Sequence, residues 1–367
     1  MRTKFSLNQH RKILKRRNYK SFLRKLRFKK KKKLRMSGHF NEKYIKSLEM
    51  SARYDSRIKY KDYKWIKAPT NFSLIDNPEE SISFIDSINK CYMRKRRVFI
   101  NLEFVDNIGH GAIVVLLSKM IQFKSNNIKF NGNFPRDTKS KSMLKRSGFF
   151  DNLYKEFNVQ DEYELTPMGN SIYTHAQKTV NSELTDTIIK KSTTSIWGEE
   201  RRCLGLQRVF LELMQNTNNH ASFQTSGDKH WWMSINYKKE EDKVCFSFLD
   251  FGVGIFESLA NKKNGTIFFG VLDKIISIFK PQDNSDILRL LLSGEVHKTA
   301  SKKYYRGKGL PGIFNASKKN EIKNLKIISN NAYADTNSEV YKKLKNNFTG
   351  TFVYWELTKD TFNIKAL

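Results

Sequence analysis

Two hydrophobic periods alternate along most of this chain, and that alternation limits the folds open to it. Short apolar runs such as Arg97–Glu103 are typical of buried strands, and the segments between them carry apolar residues at helical spacing. Residues 61–165 therefore predict a small α/β layer domain. Residues 166–367 predict a second α/β domain whose strands are hairpin neighbours. An α/β protein of two domains is the expected fold.

An N-terminal extension, residues 1–60, precedes these domains and carries much of the charge. The chain has a formal net charge of +32. Residues 1–35 hold 17 Lys or Arg and no acid, the first acid being Glu42. A segment of this kind is either a solvated tail, a nucleic-acid-binding arm or an anchor to an anionic membrane surface. Tyr19, Phe22 and Phe28 would supply stacking groups for nucleic acid.

The cysteine pattern and the lack of a long apolar run indicate a cytoplasmic protein. The three cysteines, Cys91, Cys203 and Cys245, form neither a CxxC pair nor a metal-ligand spacing. We expect them to be buried small side chains in a reducing compartment. No run of about 18 apolar residues occurs, so no membrane span is expected.

A predicted long helix, from about Glu199 to Ala221, carries a polar stripe beside its apolar face. Glu212, Asn216 and His220 are spaced four residues apart and drift only about 40° per step around a helix, so they share one face. Such a stripe also fits an ordinary solvated helix face. As a site, a carboxylate there can activate a water or a hydroxyl, and an amide oxygen suits Mg²⁺.

A second polar segment, Asp250–Ile255, ends a predicted strand. The Asp250 carboxylate can accept a hydrogen bond from an amino group, while Gly252 and Gly254 let the backbone pass close to a ligand. The same sequence also fits a common strand-to-turn connection.

A third segment, Gly307–Leu310, precedes a predicted helix. Glycine amides at a helix N-terminus can bind phosphate oxygens, and Lys308 adds a positive charge. Alone this pattern is weak. The three segments occur in a fixed order, with 34 residues from Asn216 to Asp250 and 57 from Asp250 to Gly307. The probability that all three patterns occur together in this way by chance is small.

Together these segments resemble the ATP site of GHKL proteins, which have the Bergerat fold. The Glu, Asn, His order of the helix is closer to anti-sigma-factor kinases than to histidine kinases, and Gly350-Thr351 resembles the closing Gly-Thr of the family. Pro311 and Gly312 depart from the usual Gly-Leu after the third segment. The resemblance implies ATP and Mg²⁺ as ligands, Glu212 as the base and Asn216 as the Mg²⁺ ligand. The residues expected to bind these ligands are Asn216, His220, Asp250, Gly252, Gly254, Ile255, Gly307, Lys308, Gly309, Leu310 and Thr351.

Residues 61–165 resemble a STAS-like domain, the fold of anti-sigma-factor antagonists. The resemblance rests on a strand, the Phe104-Val105-Asp106 turn that leads to Gly109, a helix and the later segments Gly132–Pro135 and Ser147–Phe149. Where the antagonists carry a phosphorylatable serine before the glycine of that turn, this chain has Ile108. A phosphoryl switch at that position is therefore excluded, and a scaffold or protein-docking role remains.

Three functions follow from the resemblance. The first is slow, Mg²⁺-dependent ATP hydrolysis used as a conformational switch, with a lid over about residues 261–306 controlling a partner. The second is a serine/threonine kinase of the anti-sigma type, since Glu212 can deprotonate a hydroxyl. The third makes ATP only a regulatory ligand of a nucleic-acid-binding protein. The candidate partners are nucleic acid through residues 1–35, a protein on the STAS-like domain and a second copy in a homodimer.

Overall fold

A computed structural model describes residues 60–154, 170–175, 180–220, 231–260, 271–295, 309–361 and 364–366, together with Ser21 and Arg24. The residues from Tyr63 to Leu367 form one compact unit, separate from Met1–Asp62. Apart from those few positions, the basic extension lies outside the described residues. The chain is an α/β protein with both parallel and antiparallel sheets, which confirms the predicted class.

The N-terminal part of the compact unit is built on a three-stranded parallel sheet in the order β1-β3-β5. A second, two-residue parallel pair joins β2 to β4. Its strands are β1 (Lys64–Lys67), β2 (Asn71–Phe72), β3 (Val98–Asn101), β4 (Asn107–Ile108) and β5 (Phe130–Gly132). Its helices are α1 (Pro78–Met93), α2 (His110–Ser125), α3 (Thr138–Arg146) and α4 (Phe149–Tyr154).

The C-terminal part is built on a five-stranded antiparallel sheet in the order β10-β11-β9-β8-β6. A separate antiparallel pair joins β7 to β12. Its strands are β6 (Asn170–His175), β7 (Arg201–Cys203), β8 (Trp231–Lys238), β9 (Lys243–Asp250), β10 (Lys323–Asp335), β11 (Val340–Thr358) and β12 (Ile364–Ala366). Its helices are α5 (Ser182–Trp197), α6 (Leu204–His220), α7 (Ile255–Ala260), α8 (Val271–Phe279), α9 (Asn284–Ser293) and α10 (Gly309–Lys318).

Local chemistry sets several helix ends. Asp137, Asn181 and Asp283 each accept a hydrogen bond from a backbone N–H within the first turn of α3, α5 and α9, which satisfies one of the free donors at each start. Gly198 and Gly294 end α5 and α9 in the left-handed conformation, which glycine adopts without steric cost.

In the middle of the five-stranded sheet, on β8, on β9 and on residues 352–357 of β11, both faces are buried, and alternate residues face opposite ways. On β11, Val353 and Trp355 pack with the helices of the C-terminal part, whereas Phe352 and Tyr354 pack with the N-terminal part. Helix α2 lies so close to the sheet that a Cβ on Gly111 would sit 2.6 Å from the Phe352 ring. The N-terminal part therefore covers one face of the sheet through a shared hydrophobic core.

Several predicted details are corrected. Residues 106–109 are not a simple turn, because Asn107 and Ile108 pair in parallel with β2, and Ile108 is buried. The long helix begins at Leu204 rather than Glu199, since residues 201–203 form a strand with β12. Both corrections involve pairing with distant segments, which a local hydrophobic period does not reveal.

Two expectations about the whole chain are met within its described part. All three cysteines are free and buried. Among the residues that the structure describes, no helix is both long and apolar enough to cross a bilayer.

Candidate functional site

Helix α6 presents its apolar side to the sheet and its polar stripe away from it. Phe210 is fully buried and meets the rings of Phe246 and Trp355 edge-on, each at a centroid distance of 5.4 Å. Glu212 and Asn216, on the other side, are half-buried. The predicted division of this helix into a core face and a polar stripe is therefore present, with Glu212 and Asn216 one turn apart.

The start of helix α10 lies directly against that stripe. A Cβ atom built on Gly309 would lie 3.1 Å from Asn216 Nδ2 and 3.2 Å from Glu212 Oε2. One turn further along, a Cβ on Gly312 would lie 3.2 Å from Arg208 Nε. Glycines at both positions let α10 run close along α6. Gly309 thus joins two sequence segments that are 93 residues apart.

The polar groups of this contact are a carboxylate and an amide. Both offer the hard oxygen atoms that Mg²⁺ prefers, and Mg²⁺ uses few protein ligands because it keeps several waters. Within the described ranges, no cluster of three or more His, Cys, Asp or Glu side chains suited to a metal occurs. Of the side chains at this contact, Asn216 and Glu212 offer such oxygens.

Asp250 is held at the end of β9 by its own turn. The N–H of Gly252 donates to Asp250 Oδ1 at 2.7 Å. Burial raises the pKa of the Asp250 carboxyl to about 6, and the bond from Gly252 acts in the opposite direction. The structure thus fixes an acceptor whose charge changes near pH 6.

The Gly350-Thr351 pair lies beside Asp250. Thr351 is the register partner of Asp250 across β9 and β11. Gly350 has φ +105°, and a Cβ there would fall 1.9 Å from the Asp250 carbonyl oxygen. Only glycine fits that backbone position. The Thr351 and Ser329 hydroxyl oxygens are 3.1 Å apart.

The turn after Asp250 is fastened to β10. Gly254 has φ +81°, and a Cβ there would clash with Asn330 Oδ1 at 2.2 Å. Asn330 Nδ2 donates to the Val253 carbonyl at 3.0 Å, and the Ile255 N–H donates to Ser329 Oγ at 2.9 Å. Ser329 and Asn330 were missed from the sequence. Ser329 is the register partner of Thr351 across β10 and β11, a pairing that no local pattern in the sequence marks.

The structure brings the predicted residues together in two groups. The first is Glu212, Asn216 and Gly309, and the second is Asp250, its glycine turn and Thr351. Leu310 is half-buried and packs against the hydrophobic core. Gly307, Lys308 and the side chain of His220 lie outside the described residues.

In comparison with known proteins, this chain matches no family model, no curated protein and no solved structure.

Proposed function

We propose that residues 166–367 form a GHKL-type site that binds ATP with Mg²⁺ and hydrolyses it slowly. The observation that carries the proposal is the contact of Gly309 with Asn216 and Glu212. These three residues come from two distant motifs, and Gly309 lies against the side chains of the other two. A solvated helix face and an unrelated turn would have no reason to lie in contact.

The adenine end of the proposed site is the second group. Asp250 accepts from the exocyclic amino group of adenine, and the close backbone turn at Gly252 and Gly254 admits the flat base. Thr351, tied to Ser329, borders the same strand end. The fastening of this turn to Asn330 supports the assignment, because a preorganised loop loses little entropy when a ligand binds.

The phosphate end of the proposed site is the first group. Asn216 is the residue that would hold Mg²⁺, which would neutralise phosphate charge when bound. Glu212 removes a proton from the attacking water. Gly309 opens helix α10, so its N-terminal backbone amides favour phosphate oxygens, with Gly307 and Lys308 preceding it.

In this proposal the segment that moves is shorter than the lid expected over residues 261–306. Helix α9 falls inside that range, yet Leu288 and Leu292 are fully buried in the core. A lid that moves without breaking this packing would lie outside α9. The N-terminal part shares a core with the opposite face of the same sheet.

The proposal is tested with purified full-length protein and [γ-³²P]ATP in the presence and absence of Mg²⁺. Release of inorganic phosphate at a rate that falls in Glu212→Gln supports hydrolysis. Transfer of label to Ser or Thr of this chain or of an added protein supports the kinase alternative instead. Binding without either product supports ATP as a regulatory ligand. Absence of saturable ATP binding contradicts the proposal.

A further inference from the structure

Two phenylalanines stand exposed at the carboxyl edge of the parallel sheet. Phe104 follows β3 and is 43% exposed, and Phe134 follows β5 and is 40% exposed. Lys67, the last residue of β1, lies at the same edge because the three strands are parallel and adjacent. In open α/β sheets, ligands bind at the carboxyl ends of the strands. The exposed aromatic rings at this edge are therefore a candidate binding surface.

The loops that carry the two rings are braced against each other. Asn133 Oδ1 accepts from the Leu102 N–H at 2.7 Å, and Asn133 Nδ2 donates to Asn101 Oδ1 at 2.8 Å. The Arg136 N–H donates to the Glu103 carbonyl at 3.1 Å. These bonds hold the two neighbouring loops in one arrangement, so the rings belong to a preformed surface.

Each exposed ring has cations beside it. Lys67 Nζ is 4.8 Å from the Phe104 ring centre, and Arg136 Cζ is 5.3 Å from it. Lys141 and Lys145 lie 5.8 Å and 5.6 Å from the centre of the Phe134 ring. We call these six residues the basic aromatic edge.

Of the four cations of the basic aromatic edge, Arg136 is the one that forms an ion pair within the described residues. Arg136 pairs with Glu103 at 2.5 Å, and Asp137 is engaged in capping α3. Within the part of the chain that the structure describes, no carboxylate pairs with Lys67, Lys141 or Lys145. The partner that fits is thus both flat and anionic.

We propose that the basic aromatic edge binds single-stranded nucleic acid, with bases stacked on Phe104 and Phe134 and phosphates held by the surrounding Lys and Arg side chains. Aromatic rings interleaved with cations are the two components by which proteins hold single strands without reading sequence. The net charge of +32 favours the same class of partner. The paired bases of a duplex are not free to stack on these rings. This inference is independent of the ATP site.

The affinity test uses the full chain and fluorescently labelled oligo(dT) and oligo(U), read by anisotropy across a salt series. Phe104→Ala/Phe134→Ala should weaken binding by roughly fivefold or more per ring with little change in salt slope. Lys67→Glu/Lys141→Glu/Lys145→Glu should weaken binding and reduce the slope.

Matched controls test whether binding depends on the basic aromatic edge or on charged and apolar side chains elsewhere on the surface. Lys64→Glu makes the same change in charge as Lys67→Glu at the opposite end of β1, and Met93→Ala removes another exposed apolar side chain. Both should bind as wild type does, and thermal unfolding shows which variants are folded. Wild-type affinity in a folded Phe104→Ala/Phe134→Ala protein would overturn the proposal.

A second measurement needs no variant. Wild-type protein is photocrosslinked to oligo(U) that contains 4-thiouridine, and the labelled peptides are mapped. Crosslinks at Phe104, Phe134 or the adjoining loop residues support the proposal. Crosslinks confined to residues 1–35 would overturn it and assign single-strand binding to the N-terminal extension.

Discussion

Lys119 of helix α2 places its Nζ atom 4.6 Å from the centre of the Phe251 ring. Phe251 directly follows Asp250, so the N-terminal layer touches the turn that carries the proposed adenine acceptor. Lys119 is only 5% exposed, and its hydrogen-bond partner is Gln122 at 3.4 Å. Burial lowers the pKa of its ammonium from 10.5 to about 8.

Lys119→Met should stabilise the protein at pH 7. At that pH the charged ammonium is buried, and a pKa lowered from 10.5 to about 8 corresponds to a cost of about 3 kcal/mol, part of which the Phe251 ring offsets. Removing the charge while keeping the bulk should therefore raise the free energy of unfolding by roughly 1 to 3 kcal/mol. Denaturant unfolding measures it.

The advantage of Lys119→Met should shrink as the pH rises. Between pH 8 and 10.5 the unfolded chain holds the Lys119 proton and the folded chain does not, so wild-type stability rises with pH. Lys90→Met, which removes a mostly exposed lysine paired with Asp86, is the control and should show no such trend. The same advantage at pH 7 and pH 10 would contradict this account.

Asp250→Asn should weaken ATP and relax the preference for adenine over guanine. The neutral amide oxygen accepts a hydrogen bond from the exocyclic amino group more weakly than a carboxylate does, and the amide NH₂ can instead donate to the carbonyl oxygen of guanine. Because the pKa of Asp250 is raised to about 6, the carboxylate is lost as the pH falls below 6, and wild-type affinity should fall there. The Asp250→Asn variant should not show this loss of affinity below pH 6. ATP binding and its competition by GTP are measured for both proteins at pH 7.5 and pH 5.5. Equal competition by GTP in the two proteins would exclude Asp250 as the adenine acceptor.

Gly309→Val should lower ATP affinity and leave the fold in place. A Cβ at this position lies 3.1 Å from Asn216 and 3.2 Å from Glu212, so a branched side chain must push both polar side chains aside. Asn315→Val, on an exposed position of the same helix, is the matched control. Calorimetric titration with MgATP and thermal unfolding compare the two. A loss of folding in Gly309→Val alone would mean that this glycine serves packing.

Deleting residues 1–35 should remove most of the salt-dependent part of nucleic-acid binding and leave ATP binding unchanged. These residues contribute 17 positive charges and no acid. Contacts to Z phosphates give a slope near −0.9Z against log salt on duplex DNA, so about six contacts would make affinity fall steeply toward physiological salt. Filter binding across a salt series measures the slope. An unchanged slope would identify the segment as a solvated tail, and loss of liposome binding alone would indicate a membrane anchor.

The sequence predicted most of the regular elements, because their hydrophobic periods are strong. The helical spacing after Asn77 predicts a helix to about Met93, and α1 runs from Pro78 to Met93. The apolar runs Trp232–Tyr237 and Val244–Leu249 predict two strands, and β8 and β9 each extend one residue further at both ends. These elements bury one face or both, and burial imposes the period directly on the sequence.

What the sequence did not predict depends on contacts between distant segments. The shared core between the two α/β parts joins Gly111 to Phe352, and no local pattern marks such a pair. The close approach of Asn330 to Gly254 has no local pattern for the same reason, although the glycine itself belongs to the predicted site. Spacing along a helix placed Glu212 and Asn216 on one side, but only the fold shows Gly309 against them.

The most direct test of the central claim is ATP turnover and binding by Glu212→Gln and Asn216→Ala beside wild type. Glu212→Gln should bind MgATP with wild-type affinity and hydrolyse it on the order of 10² to 10⁴ times more slowly, since the amide keeps the shape and loses the base. Asn216→Ala should lose the dependence of ATP affinity on Mg²⁺. Wild-type turnover in Glu212→Gln, together with wild-type affinity that is the same with and without Mg²⁺, would contradict the account.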